Sequence, residues 1–195
     1  KMHASGNDFV IIDSREVFFD TKKYNISELS NRNKGIGFDQ LVVISKSTNK
    51  SCHANLNFWN ADGSSSDTCG NATRCVAHML FKETKDNFLK ISTPKRVHDC
   101  ERIDNHYISV NMGQPLTKWF EIPLSKKCDT LHLPIEMEPV ATNFGNPHCT
   151  FFVKKIKKHN IKKIGKKIET HPLFPERTNV QIAEIINFKK IRVKV

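Results

Sequence analysis

The junction between a polar loop and an amphipathic helix, in the first half of the chain, constrains the fold most. Residues 62–68 are small and polar, and they lead directly into Cys69. Apolar residues then recur at helical spacing: Ala72, Cys75, Val76, Met79 and Leu80. This pattern predicts a helix from residue 69 to about residue 85, capped by Asp67 or Thr68, with one buried stripe. The rest of the chain is expected to be organised around this helix.

Cys69 lies at the start of the predicted helix, within its first turn. Unpaired backbone N–H groups and the positive end of the helix dipole favour a thiolate there. The same N–H groups form a seat for a carboxylate, and Gly70 allows close approach to them. The junction therefore predicts a base and an anion site at one helix end. The alternative is that Cys69 is a small apolar residue that fills the helix start.

Short apolar or alternating runs predict strands in both halves of the chain. They lie at 9–12, 41–44, 54–58, 88–91, 107–112, 119–122, 130–133, 139–142, 149–153, 180–186 and 191–195. A short helix begins at Asn25 or Ser27, and another helix is predicted at 161–170. Gly113-Gln-Pro115 interrupts the pattern and predicts two domains, 1–114 and 115–195. No turn or cap follows the last strand, so we expect the second domain to be incomplete within these residues.

Composition excludes several classes of protein. No apolar run approaches the roughly 18 residues that a membrane-spanning helix needs, so no membrane partner is expected. The six cysteines form no Cys-x-x-Cys pair, and Cys52-His53 and His148-Cys149 lack zinc-site spacing. No metal site is therefore predicted, and free thiols in a reducing cytoplasm fit best.

The net charge of +11 raises the alternative of a nucleic-acid-binding protein. Eight lysines lie between Lys154 and Lys167, set around isoleucines at helical spacing. No aromatic side chain is available among them to stack on bases, and no arginine to read guanine. The segment is better explained as a solvated helix face, with no specific nucleic-acid partner and only weak, nonspecific binding.

Side-chain amides recur in turns along the whole chain. The clusters are Gly6-Asn7-Asp8-Phe9, Gly37-Phe38-Asp39-Gln40, Asn60-Ala61-Asp62-Gly63 continuing to Cys69-Gly70-Asn71, Gly145-Asn146-Pro147-His148, and Arg177-Thr178-Asn179. An amide carbonyl accepts from an ammonium group and an amide N–H donates to a carboxylate, so such a set suits a small zwitterion. The alternative for each asparagine alone is support of its own turn.

In this order and at these spacings, the clusters closely resemble those of the diaminopimelate epimerase family over nearly the whole chain. The resemblance implies an α/β fold of α+β type, with two similar domains that each curl a mixed sheet around a central helix. It also implies a site in the cleft between them and a cytoplasmic homodimer. The implied reaction interconverts LL- and meso-diaminopimelate, in the lysine and peptidoglycan pathway, without a cofactor.

Roles follow from the resemblance position by position. Cys69 matches the first of two catalytic thiols, and His148 matches the histidine that supports it. Gly70 and Asn71 match the pair whose backbone holds the substrate carboxylate. The other substrate-binding positions are Asn7, Gln40, Asn60, Asn146 and Asn179.

The chain departs from the family pattern in three respects. Ala4 and Ala72 stand where glycine is common. The Glu-Arg-Gly segment and the Ala-Cys-Gly motif with the second thiol have no match in these residues, so we expect them to be inactive by themselves. The alternatives are a related cofactor-independent isomerase of the same fold, such as a proline racemase-like or phenazine-pathway enzyme, or a catalytically incomplete fragment.

Overall fold

A computed structural model describes all residues from Lys1 to Val195. The chain divides into two compact units, Lys1–Met112 and Gly113–Val195, and each is described by itself. The sequence placed a domain boundary between residues 114 and 115, in the same glycine- and proline-containing segment.

The first unit is a mixed eight-stranded sheet with one long helix. Its strands are β1 (Met2–Ala4), β2 (Asn7–Asp13), β3 (Gln40–Ser45), β4 (Ala54–Asn60), β5 (Ser65–Ser66), β6 (Phe88–Ser92), β7 (Val97–Arg102) and β8 (Ile108–Val110). They follow the order β1-β2-β3-β4-β6-β7-β8, with β5 on β4. The pairs β2/β3 and β4/β6 are parallel, and all other neighbours are antiparallel. A 3₁₀ turn (Thr21–Lys23), α1 (Ile26–Ser30) and α2 (Gly70–Glu83) complete the unit.

The helix α2 packs against β1, β2, β6, β7 and β8 and closes the main core of this unit. The predicted stripe is confirmed, because Ala72, Cys75, Val76 and Leu80 are buried and Met79 packs against the cluster. The predicted cap is wrong. Cys69 itself is the N-cap, in extended conformation, and no side chain caps the helix start.

Three strands of the first unit, β1, β5 and β7, were not predicted. In β7 the residues alternate, with His98 and Cys100 buried and Val97 and Asp99 exposed. Its inward side chains are a histidine and a cysteine, so hydrophobicity alone gives no alternating signal. Pairing with β6 and β8 defines this strand.

The second unit is a mixed four-stranded sheet in the order β12-β11-β10-β9. The strands are β9 (Val140–Asn143), β10 (Pro147–Phe152), β11 (Asn179–Asn187) and β12 (Lys190–Lys194). β10 and β11 are parallel, and the segment between them carries a 3₁₀ turn (Ile156–Lys158) and α3 (Ile161–Ile168). The mixed sheets in both units confirm the predicted α/β class.

The lysines of 154–167 are all exposed, whereas Ile156, Ile161 and Ile168 are buried. A solvated face therefore describes this segment, as the sequence indicates. The last strand, β12, pairs with β11, but Ile191 and Val193 remain about half exposed (51% and 50%). The alternation of Ile191 and Val193 with charged residues therefore indicates a paired strand, but neither side chain is buried.

The strands predicted at 119–122 and 130–133 are absent. Ile122 and Leu133 are fully buried, but the backbone around Ile122 bonds locally, with Ile122 N donating to Lys118 O at 3.0 Å. Leu133 N donates to Pro139 O at 3.0 Å, across a turn. These apolar residues fill the core of the second unit from turns, so their pattern reports burial and not sheet pairing.

Candidate active site

The thiol of Cys69 is partly buried at the N-terminal end of α2. Thr73 fixes this end, because its backbone N and its Oγ1 both donate to Cys69 O at 2.9 Å. Cys69 makes no side-chain capping hydrogen bond, but the backbone N–H groups of Asn71 and Ala72 act on the sulfur in the direction that favours a thiolate, as expected at a helix start.

Burial raises the pKa of the Cys69 thiol above its ordinary value. The N–H groups of Ala72 and Asn71, and the positive charge of Arg74, oppose this shift without overcoming it. The thiolate expected from the helix end is therefore not the resting form. Cys69 rests as a protonated thiol.

Hydrogen bonds between side chains link α2 to the starts of β2 and β3. Asn71 Nδ2 donates to Asn7 Oδ1 at 2.8 Å, and Asn7 Nδ2 donates to Asp39 Oδ2 at 3.4 Å. At the helix end, Arg74 donates to Asn71 Oδ1 and to Ser5 Oγ, the latter at 3.0 Å. Two predicted site residues, Asn7 and Asn71, are thus brought together. Their charged neighbours Arg74 and Asp39 were not predicted, although Arg74 lies three residues after Asn71 on the helix.

Asp39 belongs to an ion cluster with Asp8 and Arg32. Arg32 Nη2 lies 2.7 Å from Asp8 Oδ1 and 2.8 Å from Asp39 Oδ1, and Asp8 N donates to Asp39 Oδ2 at 3.0 Å. The Arg32 guanidinium, with a smaller contribution from Lys1, holds the pKa of the Asp8 carboxyl well below its usual range. The turn that carries Asn7 is therefore fixed by charges.

Gln40 and Asn60 lie directly opposite each other on β3 and β4. Gln40 Nε2 donates to Asn60 Oδ1 at 2.9 Å, and Asn60 Nδ2 donates to Ser64 Oγ at 3.0 Å. Because Gln40 donates through Nε2 in this pair of hydrogen bonds, its Oε1 is left as a hydrogen-bond acceptor. The register of two antiparallel strands explains why residues 20 apart in sequence meet.

Gly70 is the first residue of α2. A Cβ added there would lie 3.0 Å from Met112 Sδ and 3.4 Å from Met112 Cε. Within this unit, the group that packs closely against Gly70 is therefore the side chain of Met112.

In the second unit, Asn146, His148 and Asn179 lie at the start of the parallel pair β10/β11. His148 and Asn179 are register partners, and Asn179 Nδ2 donates to Pro147 O at 3.2 Å. His148 Nε2 lies 2.9 Å from Asn146 Oδ1, and His148 Nδ1 lies 2.5 Å from Gln181 Nε2. Burial lowers the pKa of His148, so the ring rests neutral.

Gln181 is the residue of this group that the sequence analysis missed. It lies two positions after Asn179 on β11, opposite Thr150. Spacing of two residues along a strand places Gln181 and Asn179 on the same face. This spacing could have identified Gln181 only if the pairing of β10 with β11 had been known in advance.

All six cysteines are free, and no cluster of three or more histidine, cysteine or acidic side chains is placed to hold a metal ion. No helix has the length and apolar character needed to span a membrane.

The fold is shared with solved structures of an epimerase and of a phenazine biosynthesis protein. A hydroxyproline epimerase from Agrobacterium vitis superposes with a TM-score of 0.60 over 89% of this chain and 58% of its own, at 11% identity. A PhzF-family phenazine biosynthesis protein from Bacillus anthracis gives 0.58 over 98% of this chain and 67% of its own, at 14% identity. At these identities the likeness shows the fold, a curled half-barrel sheet with few helices.

Sequence comparison gives the family. The family model described as diaminopimelate epimerase matches residues 1–118. The diaminopimelate epimerase of the Wolbachia from Brugia malayi is 43% identical over 200 residues, covering 100% of this chain and 74% of that protein. That of Pelagibacter ubique is 44% identical over 204 residues, covering 100% and 73%. The chain belongs to the diaminopimelate epimerase family and is an isomerase of the epimerase class, which confirms the resemblance.

Proposed function

We propose that the protein interconverts LL- and meso-diaminopimelate by proton exchange at thiol groups, without a cofactor, as a cytoplasmic homodimer. The observation that carries this proposal is Cys69 at the N-cap of the central helix, next to backbone N–H groups that favour its thiolate form. The neighbouring chain of amides through Asn71 and Asn7 supports it, because such groups hold a small zwitterion.

Inverting an amino-acid α-carbon requires removing a proton from one face and returning one to the other. A single fixed group cannot reach both faces, so two acid/base groups are needed. A protonated Cys69 acts first as the acid on its face and becomes the base in the reverse reaction. The N–H groups of Asn71 and Ala72 then stabilise the thiolate that forms when the proton leaves.

The α-carbon proton is weakly acidic, so negative charge that develops on the carboxylate must be stabilised. Backbone donors at a helix start, near Gly70 and Asn71, supply this stabilisation without a metal ion. Gln40 Oε1, left as an acceptor by its bond to Asn60, suits a substrate ammonium group. The roles of Asn60, Asn146, Asn179 and His148 are carried over from the family resemblance.

The second thiol of the proposed mechanism has no match in residues 1–195. Cys75, Cys100 and Cys149 are buried, and burial raises their pKa values to about 11, about 12 and about 12. They are therefore poor proton carriers at neutral pH. We accordingly expect these 195 residues alone not to epimerise.

The decisive experiment substitutes Cys69 in the complete protein. Cys69→Ala is expected to abolish epimerisation, and Cys69→Ser to lower kcat by about 10²–10⁴-fold, because a hydroxyl is a far weaker acid than a thiol. Proton exchange is measured as loss of the α-proton of diaminopimelate in deuterated water. Cys52→Ser, which changes a free cysteine outside the core cluster, is the control and should keep full activity. Full activity in Cys69→Ala would end the proposal.

A related isomerase of the same fold is the competing function, because the hydroxyproline epimerase of Agrobacterium vitis shares this fold. Diaminopimelate, proline and hydroxyproline are to be compared as substrates of the same preparation. If the α-proton exchanges only with proline or hydroxyproline, diaminopimelate is not the substrate, but the proposed role of Cys69 still stands.

A further inference from the structure

Four neutral side chains of the second unit form a continuous hydrogen-bonded relay. Thr150 Oγ1 lies 3.2 Å from Gln181 Oε1, Gln181 Nε2 lies 2.5 Å from His148 Nδ1, and His148 Nε2 lies 2.9 Å from Asn146 Oδ1. Thr150 and Gln181 are register partners on β10 and β11, and His148 lies two residues before Thr150 on the same strand. The sheet therefore fixes the spacing of the relay.

The relay has one direction. The Thr150 hydroxyl donates to Gln181 Oε1, so Gln181 presents its amide N–H to the ring. His148 Nδ1 must then carry a lone pair, and the ring proton resides on Nε2. Nε2–H donates to Asn146 Oδ1, which leaves the amide N–H groups of Asn146 as the end available to a ligand.

We propose that Gln181 is a positioning residue for the reaction: it holds His148 as the Nε2–H tautomer, and the ring in turn orients Asn146 as a donor to a substrate carboxylate. This inference rests on the proposed function, in which Asn146 contacts the substrate. Without the Gln181 donor, the ring proton is free to move to Nδ1. Asn146 can then rotate its amide and present its oxygen to the carboxylate, which is repulsive.

The relay also limits what His148 does directly. Both of its ring nitrogens are engaged within the second unit, one by Gln181 and one by Asn146. The neutral ring that burial favours is the form in which one nitrogen donates and the other accepts. His148 therefore contributes to substrate binding through Asn146, in addition to the support of Cys69 that is carried over from the family resemblance.

The first test is spectroscopic and needs no activity. Two-bond nitrogen–proton correlations of ¹⁵N-histidine in the complete protein distinguish the Nε2–H, Nδ1–H and doubly protonated forms, with the signal assigned by its loss in His148→Asn. Wild type is expected to show the Nε2–H form. Gln181→Met, which keeps the side-chain length and removes the donor, is expected to show a mixture of tautomers. An Nδ1–H ring in wild type, or no change in Gln181→Met, would overturn the proposal.

The second test is kinetic. Gln181→Met should raise KM for diaminopimelate about tenfold, the effect of losing one oriented hydrogen bond, with a smaller change in kcat. Gln181→Glu accepts from Nδ1, so it makes the ring doubly protonated and keeps the Nε2–H donor to Asn146. Its KM should therefore lie closer to wild type than that of Gln181→Met, and equal KM values for the two variants would contradict the relay.

Ile182→Val, a neighbouring core substitution on β11, is the control and should keep both the tautomer and KM while lowering the melting temperature. Failure of the proposed function can be distinguished from failure of this inference. If the wild-type protein does not exchange the α-proton of diaminopimelate, the proposed function fails, but the tautomer of His148 can still be measured. If Gln181→Met does not fold, the wild-type tautomer still decides the proposal.

Discussion

The two units hold their asparagines by different physical means. In the first unit, Asn7 and Asn71 are linked to the charged groups Arg74 and Asp39, and Asp39 joins the Asp8–Arg32 cluster. In the second unit, Asn146 is held by a neutral relay of His148, Gln181 and Thr150. The network of the first unit is held by charged groups. The relay of the second unit is held by neutral hydrogen bonds, each with a defined donor and acceptor.

The difference has a structural origin. The network of the first unit joins a helix start, a turn and a strand edge, which lie at an exposed surface where charges keep much of their hydration. The relay of the second unit lies on two neighbouring strands with a partly buried ring, where an unpaired charge is costly. Substitutions of charge should therefore affect the first unit, and substitutions of polarity the second.

Among the substitutions that test this contrast between the units, the largest effect is expected from Arg74→Met. It removes the charged donor to Asn71 Oδ1 and a positive charge that lowers the pKa of Cys69. Loss of a charge-assisted hydrogen bond should lower kcat/KM by about tenfold to a hundredfold, and the pH at which Cys69 becomes alkylated should rise. Arg15→Gln, which breaks pairs with Asp13 and Glu83, is the control and should reduce stability only. A change in kcat/KM below twofold would show that charge does not hold the first network.

An intermediate effect is expected on acid stability. The pKa of Asp8 is lowered in the folded protein, chiefly by Arg32, so its contribution is present above the unfolded pKa near 3.8 and is lost as pH falls through the folded value. Arg32→Gln should therefore raise the pKa of Asp8 and move acid unfolding to higher pH, measured by circular dichroism. Lys167→Gln, which breaks an exposed pair with Glu136 in the second unit, is the matched control. Equal shifts in both variants would remove the contrast between the units.

The smallest effect is expected from Gly70→Ala. The added Cβ forces Met112 to move, and a flexible side chain yields with little strain, so kcat/KM should fall only a few-fold. In a Met112→Ala background the same substitution should have almost no effect, because the contact is gone. A large loss in both backgrounds would mean that the backbone of Gly70 acts on the substrate through its own conformation.

The sequence predicted the parts of the fold that have a local pattern. The stripe of α2, the start of α1 at Asn25 (one of the two predicted starts), and strands within β2, β3 and β4 all follow from periodicity and turn chemistry. It failed where apolar residues fill a core from turns, as Ile122 and Leu133 do, and where a strand turns a histidine and a cysteine inward, as β7 does. In these places burial and pairing are set by distant residues.

The chain by itself determined the family, the order of the turn asparagines and the place of Cys69 at a helix start, because each is written in neighbouring residues. Only the tertiary structure decided that Cys69 rests protonated, since burial outweighs the donors of its own helix. It also decided that Gln181 meets His148, because they are 33 positions apart and only the register of two parallel strands brings them together. Short-range geometry follows from sequence, whereas desolvation and cross-strand contact depend on how the whole chain packs.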